Sequence, residues 1–452
     1  MNSTLVREWL FPLHERIRGR PTLKVLSELR STETYDPEQL QDLQWRKLKQ
    51  LLNYAASQTE YYRALFASLG AHPRDVKTPA DFARLPLLTK ETIRVRHADL
   101  ISGEFRRGRG LVRNATSGST GEPLVFFTTL RREAALNAAK LRGRAWWGLQ
   151  MGDREIDFWG PGRSWGAKDR ILELRDRLLN IRDISAFHLN ENALERALAL
   201  LRRWKPKFLY VYPSAFFRFT LFLQERGVNA AEFAPEVIIC SAENLYETQR
   251  ALFRQFYGAR VVNEYGSHDA GLIAFECPAE RLHLTQEQVY LEVVAESADA
   301  AAGKFVVTDL ENLGQPFIRY QIGDYGELST EKCPCGRGLA VLRRILGRAT
   351  EMLRATSGDL VPGFALTRTF RDIAGVREFQ VVQERLNLLR IRIVKNDLYT
   401  GDSQAAIQRS LRRYLGEEMQ FSFEFPLALE RRSSGKCSWF ISSLPNEGQK
   451  AA

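Results

Sequence analysis

The sequence predicts an α/β protein: a large N-terminal domain of parallel or mixed sheets flanked by helices, then a small C-terminal α+β domain. Three observations predict it. Apolar strand-length runs, each leaving a polar residue at its C-terminal end, recur at Lys207-Phe208-Leu209-Tyr210-Val211-Tyr212-Pro213-Ser214, Glu236-Val237-Ile238-Ile239-Cys240-Ser241-Ala242-Glu243 and Arg260-Val261-Val262-Asn263-Glu264-Tyr265-Gly266. Helix-length stretches lie between them, and such alternation implies a largely parallel sheet. Beyond the basic stretch Arg343-Arg344-Ile345-Leu346-Gly347-Arg348 the pattern changes. Residues 376–395 alternate and 405–415 are helical, which fits a separate unit of about 100 residues. The boundary is expected at 347/348, giving domains 1–347 and 348–452 of a 452-residue chain that is too long for one ordinary core.

Composition narrows the class. Hydrophobic residues make up 44% and charged residues 26%, the balance of a soluble globular protein. No apolar run approaches the roughly 20 residues that span a bilayer. Residues 1–8 lack the basic and apolar regions of a signal peptide, so a cytoplasmic location is the expectation. The net charge of +11 is spread as +6 over residues 1–110, +2 over 111–348 and +3 over 349–452. Spread charge favours anionic small molecules over a nucleic-acid module, for which no motif is present. Five cysteines in such a chain argue against a disulfide framework.

The elements follow in order. Leu40, Leu43, Leu48, Leu51, Leu52 and Tyr54 recur at helical spacing. Tyr61-Tyr62-Arg63 opens a further helical piece, and Thr89 is the expected N-cap of another. Apolar Leu124 to Phe127 reads as a buried strand, and residues 131–150 as a helix rich in Ala, Arg and Trp. Asp157-Phe158-Trp159-Gly160-Pro161 is a strand end and turn. Residues 192–204 form an amphipathic helix through Leu194, Leu198, Leu200 and Leu201. In parallel sheets ligands bind beyond the carboxyl ends of the strands. Ser214, Ser241, Glu243, Tyr265 and the loop after residue 115 are therefore expected around one crevice.

That loop is Ala115-Thr116-Ser117-Gly118-Ser119-Thr120-Gly121-Glu122-Pro123. Its glycines allow positive φ and close backbone approach. Successive N–H groups and hydroxyls make an anion-binding nest. No Gly-Lys-Ser/Thr closes it, so it is not a Walker A loop; by composition alone it is equally a polar surface turn. The loop resembles the phosphate-binding loop of the adenylate-forming superfamily, and the chain is similar to its phenylacetate–CoA ligase-like branch, including the CapK-type proteins of polysaccharide gene clusters.

The resemblance extends through further motifs. Tyr265-Gly266-Ser267-His268-Asp269 resembles Tyr-Gly-x-x-Glu, whose tyrosine packs on adenine and whose acid helps bind Mg²⁺; here the acid is Asp269, one methylene shorter. His268 is a pocket histidine or a catalytic one, and neighbours in the chain cannot form a hydrolase triad. Phe317-Ile318-Arg319-Tyr320-Gln321-Ile322-Gly323-Asp324 resembles the segment whose aspartate accepts from the ribose hydroxyls, a role suited to an acceptor-only carboxylate. Gly347-Arg348-Ala349-Thr350-Glu351 resembles the hinge, with Thr350 and Glu351 in place of two aspartates. Arg432-Ser433-Ser434-Gly435-Lys436 resembles the loop of the catalytic lysine. Cys277, His283, Cys333 and Cys335 make a Cys₃His set suited to structural zinc.

The resemblance thus implies catalytic roles for Lys436, Asp269 and His268. It implies nucleotide binding by Thr116, Ser117, Gly118, Ser119, Thr120, Gly121, Ser241, Ala242, Glu243, Glu264, Tyr265, Gly266, Asp324 and Arg348. The implied reaction joins ATP, with Mg²⁺, to a carboxylic acid through an acyl-AMP, then transfers the acyl group to coenzyme A. An amine or amino-sugar acceptor, and a non-catalytic nucleotide-binding scaffold, are the alternatives. The small domain is implied to be mobile, and the chain a monomer or homodimer. Trp159, Tyr212, Phe216, Ala242 and Glu264 are candidate walls of the acid pocket, and their aromatic content suggests an aryl or medium-sized acid.

Overall fold

The computed structural model describes residues 1–106, 110–116, 124–160, 167–187, 189–295, 301–371, 373–430 and 437–444. The helix Pro37–Gln58 starts at a capping box in which Asp36 and Gln39 satisfy each other's backbone N–H groups. Its apolar stripe buries Leu40, Leu48, Leu51, Leu52 and Ala55. Thr89 caps the helix Lys90–Val95 by accepting from the N–H of Thr92. Strands β1 (Leu111–Ala115) and β2 (Val125–Thr129) form an antiparallel hairpin that ends at the pair Ala115–Val125. The Ser/Thr/Gly loop is therefore the connection of this hairpin.

The main sheet contains β3 (Glu155–Phe158), β4 (Ile181–Ile184), β5 (Phe208–Val211), β6 (Val237–Ser241), β7 (Arg260–Ser267), β8 (Gly271–Glu276), β9 (Leu282–Leu284), β10 (Val289–Ala295), β11 (Gly303–Asp309), β12 (Tyr320–Leu328) and β13 (Val341–Arg348). Among the described residues it runs β10-β11-β12-β13-β9-β8-β7-β6-β5-β3-β4. Only β4, β3, β5, β6 and β7 are mutually parallel. From β7 onward every pairing is antiparallel, so the largely parallel sheet expected from the alternation is instead mixed. The reason is local: a short turn, with Gly271 at φ +87°, joins β7 to β8 and leaves no room for a crossover helix.

The parallel strands are apolar on both faces because both are covered. Leu209, Val211, Ile238, Cys240 and Val261 pack with Phe216, Phe219 and Phe253 from the helices Pro213–Glu225 and Glu247–Tyr257. Phe208, Tyr210, Val237, Ile239 and Val262 meet Ala135, Ala138 and Ala139 of the helix Leu130–Ala145 on the other side. Strand order reverses between β3 and β5, the kind of switch point beside which α/β sheets bind ligands.

The smaller C-terminal domain is built on β16 (Val376–Arg385), β17 (Leu388–Lys395), β18 (Gln420–Glu424) and β19 (Phe440–Ser442), after the short pair β14 (Met352–Arg354) and β15 (Leu360–Pro362). Its core joins Phe370, Phe379, Val381 and Ile391 to Ile407 and Leu411 of the helix Gly401–Leu415. Trp439 stacks on Tyr246, with ring centroids 4.4 Å apart, and so ties this domain to the loop after β6.

Candidate active site

A cavity of about 450 Å³ opens beyond the carboxyl ends of β6 and β7, lined in part by Ala242, Glu243, Asn244, Tyr265, Asp324 and Arg348. Tyr265 donates its hydroxyl to Asp324 Oδ2 at 2.7 Å, and Arg348 Nε stands 3.4 Å from Oδ1. Asp324 and Arg348 are cross-strand partners on β12 and β13. Burial first, and the Asp324 carboxylate second, push the Tyr265 phenol well above its usual range, which keeps it a donor. Asp324 Oδ1 accepts no hydrogen bond among the described residues. The arrangement offers a ring face, an acceptor and a half-exposed guanidinium.

Ala242 sits at φ +67°, a left-handed conformation that costs a non-glycine residue free energy. The strain lets the chain leave β6 so that Glu243 turns back. Its two carboxylate oxygens accept from the N–H and hydroxyl of Ser214, at 2.8 and 2.9 Å. The N–H of Cys437 also reaches Glu243, at 3.1 Å, so the residue that follows the Gly-Lys motif is held at the cavity. Ser117, Gly118, Ser119, Thr120, Gly121 and Lys436 themselves lie outside the described residues.

Of the remaining motif residues, Gly266 and Glu351 line this cavity, and the others lie as follows. Thr116 closes the loop base: its N–H donates to the Leu124 carbonyl at 2.9 Å, and its hydroxyl accepts from the Leu124 N–H at 3.0 Å. His268 Nδ1 lies 3.3 Å from the Ala115 carbonyl, with its ring edge-on to Phe126. Asp269 is buried and accepts from the Tyr320 hydroxyl at 2.6 Å. Gly266 approaches the backbone of Gly271 so closely that an added Cβ would stand 2.5 Å from the Gly271 carbonyl oxygen. At the hinge motif, Gly347 takes φ +104°, and Glu351 Oε2 accepts from Asn244 Nδ2 at 2.8 Å. Phe216 does not wall the cavity: it is fully buried between Phe158, Phe253 and Tyr257, because its helix turns that face to the sheet.

Lys140, Tyr210 and Arg132 gave no motif signal, although the first two surround the expected residues Ser241 and Glu264. Tyr210 donates to Glu264 Oε1 at 2.6 Å, Ser241 donates to the same atom at 3.1 Å, and Lys140 Nζ stands 3.4 Å from it and 2.9 Å from the Tyr210 hydroxyl. Arg132, 2% exposed, pairs with Asp309 at 2.9 Å and donates to the His268 carbonyl at 3.0 Å. One sequence signal could have found Arg132: it shares the sheet-facing stripe of its helix with Ala135, Ala139 and Arg142, where an unpaired charge is untenable.

Cys277, His283, Cys333 and Cys335 bring their ligand atoms within 4.8 Å of one another. Cys277 Sγ lies 3.6 Å from Cys333 Sγ, and His283 Nε2 lies 3.2 Å from Cys335 Sγ. His283 Nδ1 faces the Leu339 carbonyl at 3.0 Å, which orients the ring and leaves Nε2 toward the sulfurs.

The fold, a large multi-stranded α/β sheet with a smaller C-terminal domain, is that of the adenylate-forming CoA ligases. The crystal structure of 2-hydroxyisobutyryl-CoA ligase in the postadenylation state, in complex with 2-HIB-AMP, matches with a TM-score of 0.74 over 91% of both chains at 19% identity. The chain is a homologue of CapK and of the phenylacetate–coenzyme A ligases. Protein CapK of Staphylococcus aureus is 23% identical over 413 residues, 89% of each chain. A phenylacetate–coenzyme A ligase of Aromatoleum evansii is 23% identical over 445 residues, 93% of this chain and 98% of its own. Residues 353–443 match the CapK C-terminal domain. No helix among the described residues is long and apolar enough to cross a membrane.

Proposed function

We propose that the chain is an AMP-forming ligase that activates a carboxylic acid as its acyl-AMP and passes the acyl group to coenzyme A. The observation that carries this reading is the Tyr265–Asp324–Arg348 cluster at the cavity, with the exit of the Gly-Lys loop held there by Glu243. In this reading Tyr265 packs on adenine and Asp324 accepts from the ribose hydroxyls. The Ser/Thr/Gly loop and Arg348 meet phosphate oxygens. ATP would enter as its magnesium complex, and Asp269, which accepts from the Tyr320 hydroxyl through one oxygen, would help hold the ion, which would offset phosphate charge.

The chemical difficulty is that an anionic carboxylate must attack an anionic phosphate. A compact ammonium between them lowers the repulsion and stabilises charge as it develops, the role proposed for Lys436. Pyrophosphate leaves, and the acceptor then attacks the acyl carbon and expels AMP. We place the boundary at residues 347/348 and Gly347 at the hinge, so that one small domain serves both steps in turn. An amine or amino sugar is the second reading for the acceptor, with the same activation step.

Cys277, His283, Cys333 and Cys335 fit a structural zinc. A tetrahedral ion with bonds of about 2.0–2.3 Å sets its ligand atoms about 3.3–3.8 Å apart, close to the spacings seen here. Four protein ligands leave no open position, so the ion would brace the turn before β13 and take no part in the reaction.

The deciding experiment is acid-dependent exchange of labelled pyrophosphate into ATP, run across a panel of carboxylic acids. Exchange with at least one acid is expected. A protein that binds ATP but exchanges with none would be the nucleotide-binding scaffold instead.

A further inference from the structure

Glu264 carries an unsatisfied oxygen at the cavity. Its side chain is 2% exposed. Oε1 accepts from the Tyr210 hydroxyl at 2.6 Å and the Ser241 hydroxyl at 3.1 Å, and the Lys140 ammonium forms an ion pair with it at 3.4 Å. Oε2 has no partner among the described residues, although Glu264 lines the cavity. A buried carboxylate oxygen without a donor is costly, and native proteins rarely keep one that has no use.

Two features say what donor belongs there. Side chains alternate along a strand, so Glu264 and Tyr265 face opposite sides of β7. Tyr265 turns to Asp324, and Glu264 turns to Tyr210 and Lys140. Glu264 therefore faces away from the Tyr265–Asp324 pair, and in the adenylation reading the acid lies on its side. The second feature is charge. Lys140 already neutralises Glu264, and burial, which lowers the lysine pKa, is outweighed by the Glu264 carboxylate and Tyr210, so Lys140 stays cationic. A second cation would add an unbalanced buried charge, whereas a neutral hydroxyl supplies the missing donor without one. Trp159 stacks on Tyr210 with centroids 4.7 Å apart, which fixes the tyrosine that holds Glu264.

We propose that Glu264, held by Tyr210 and Lys140, selects a carboxylic acid that bears a hydroxyl on its acyl chain, the hydroxyl donating to Oε2. The inference rests on the adenylation reading. Pyrophosphate exchange is measured with hydroxy acids and with their deoxy and amino counterparts of matched length, for the wild type, Glu264→Gln and Glu264→Leu. The wild type is expected to prefer a hydroxy acid over its deoxy counterpart by at least about 10²-fold in kcat/KM, since a site built around a hydroxyl leaves its own polar group unpaired with the analogue. Glu264→Leu should bring the ratio near one with ATP affinity unchanged, as read by thermal stabilisation. The nearly isosteric Glu264→Gln should narrow it by about tenfold, because a neutral acceptor binds more weakly than a charged one. Equal or better exchange by the wild type with a deoxy or amino acid overturns the inference and leaves adenylation standing. So does a ratio that neither variant moves. Absence of exchange with every acid overturns both.

Discussion

Tyr265 on β7 and Asp324 on β12 are joined by a 2.7 Å hydrogen bond although β8, β9 and β13 lie between their strands in the hydrogen-bonded order. In a flat sheet four strand spacings would hold them about 19 Å apart. The sheet must therefore curl sharply through β9, a strand of three residues that pairs with β13 through Leu282 and His283. The curl brings the Tyr-Gly motif and the Gly-Asp motif, 59 residues apart in the chain, onto one wall of the cavity.

Asp324→Ala is expected to weaken ATP binding by roughly 10- to 150-fold, the loss of about 1.5–3 kcal/mol that follows removal of a charged hydrogen-bond partner. Titration calorimetry with ATP measures it. Asp324→Asn, which keeps one acceptor, should lose less. Unchanged affinity in both variants would mean that the ribose lies elsewhere.

Lys436→Ala should leave ATP affinity nearly intact and slow pyrophosphate exchange by about 10²–10³-fold, since one electrostatic contact to the developing charge is removed. Given pre-formed acyl-AMP and the acceptor, the same variant should react at close to the wild-type rate, because the small domain is then turned to its second orientation. Equal loss in both assays would refute the two-orientation mechanism.

Protein purified without added metal should contain close to one zinc per chain by elemental analysis. A chelator, or Cys335→Ser, should lower the melting temperature, because binding energy at a closed site is folding energy. Metal-free protein with the same melting temperature would remove zinc from the description.

Arg132→Met should destabilise the protein by about 3–5 kcal/mol at neutral pH, because it strands the buried Asp309 carboxylate. Burial already raises the Asp309 pKa, with Arg132 opposing it. Without Arg132 the folded pKa rises further above the unfolded value. The folded state then binds more protons than the unfolded one, and stability falls as pH rises between the two values. The variant should regain part of its melting temperature on going from pH 8 to pH 5. An equal deficit at both would assign the loss to packing alone.

Much of this protein was legible one segment at a time. The Thr89 cap, the strands ending at Val211 and Ser241, the helix Glu191–Trp204 and the alternating hairpin of β16 and β17 follow from local spacing, which needs only neighbours in the chain. So does the Cys₃His set, because those residue types are conspicuous wherever they fall. What the sequence alone could not decide was which distant residues meet. The antiparallel half of the sheet depends on a turn too short for a helix. The removal of Phe216 into the core depends on which face its helix presents to β5 and β6. The cluster of Lys140, Tyr210, Ser241 and Glu264 draws on one helix and three strands, and two of its members, Lys140 and Tyr210, carry no motif. Local propensity acts over a few residues and is written in the sequence directly. The curl of the main sheet and the pairing of buried charges are settled by packing across the whole chain, and only the tertiary structure decided them.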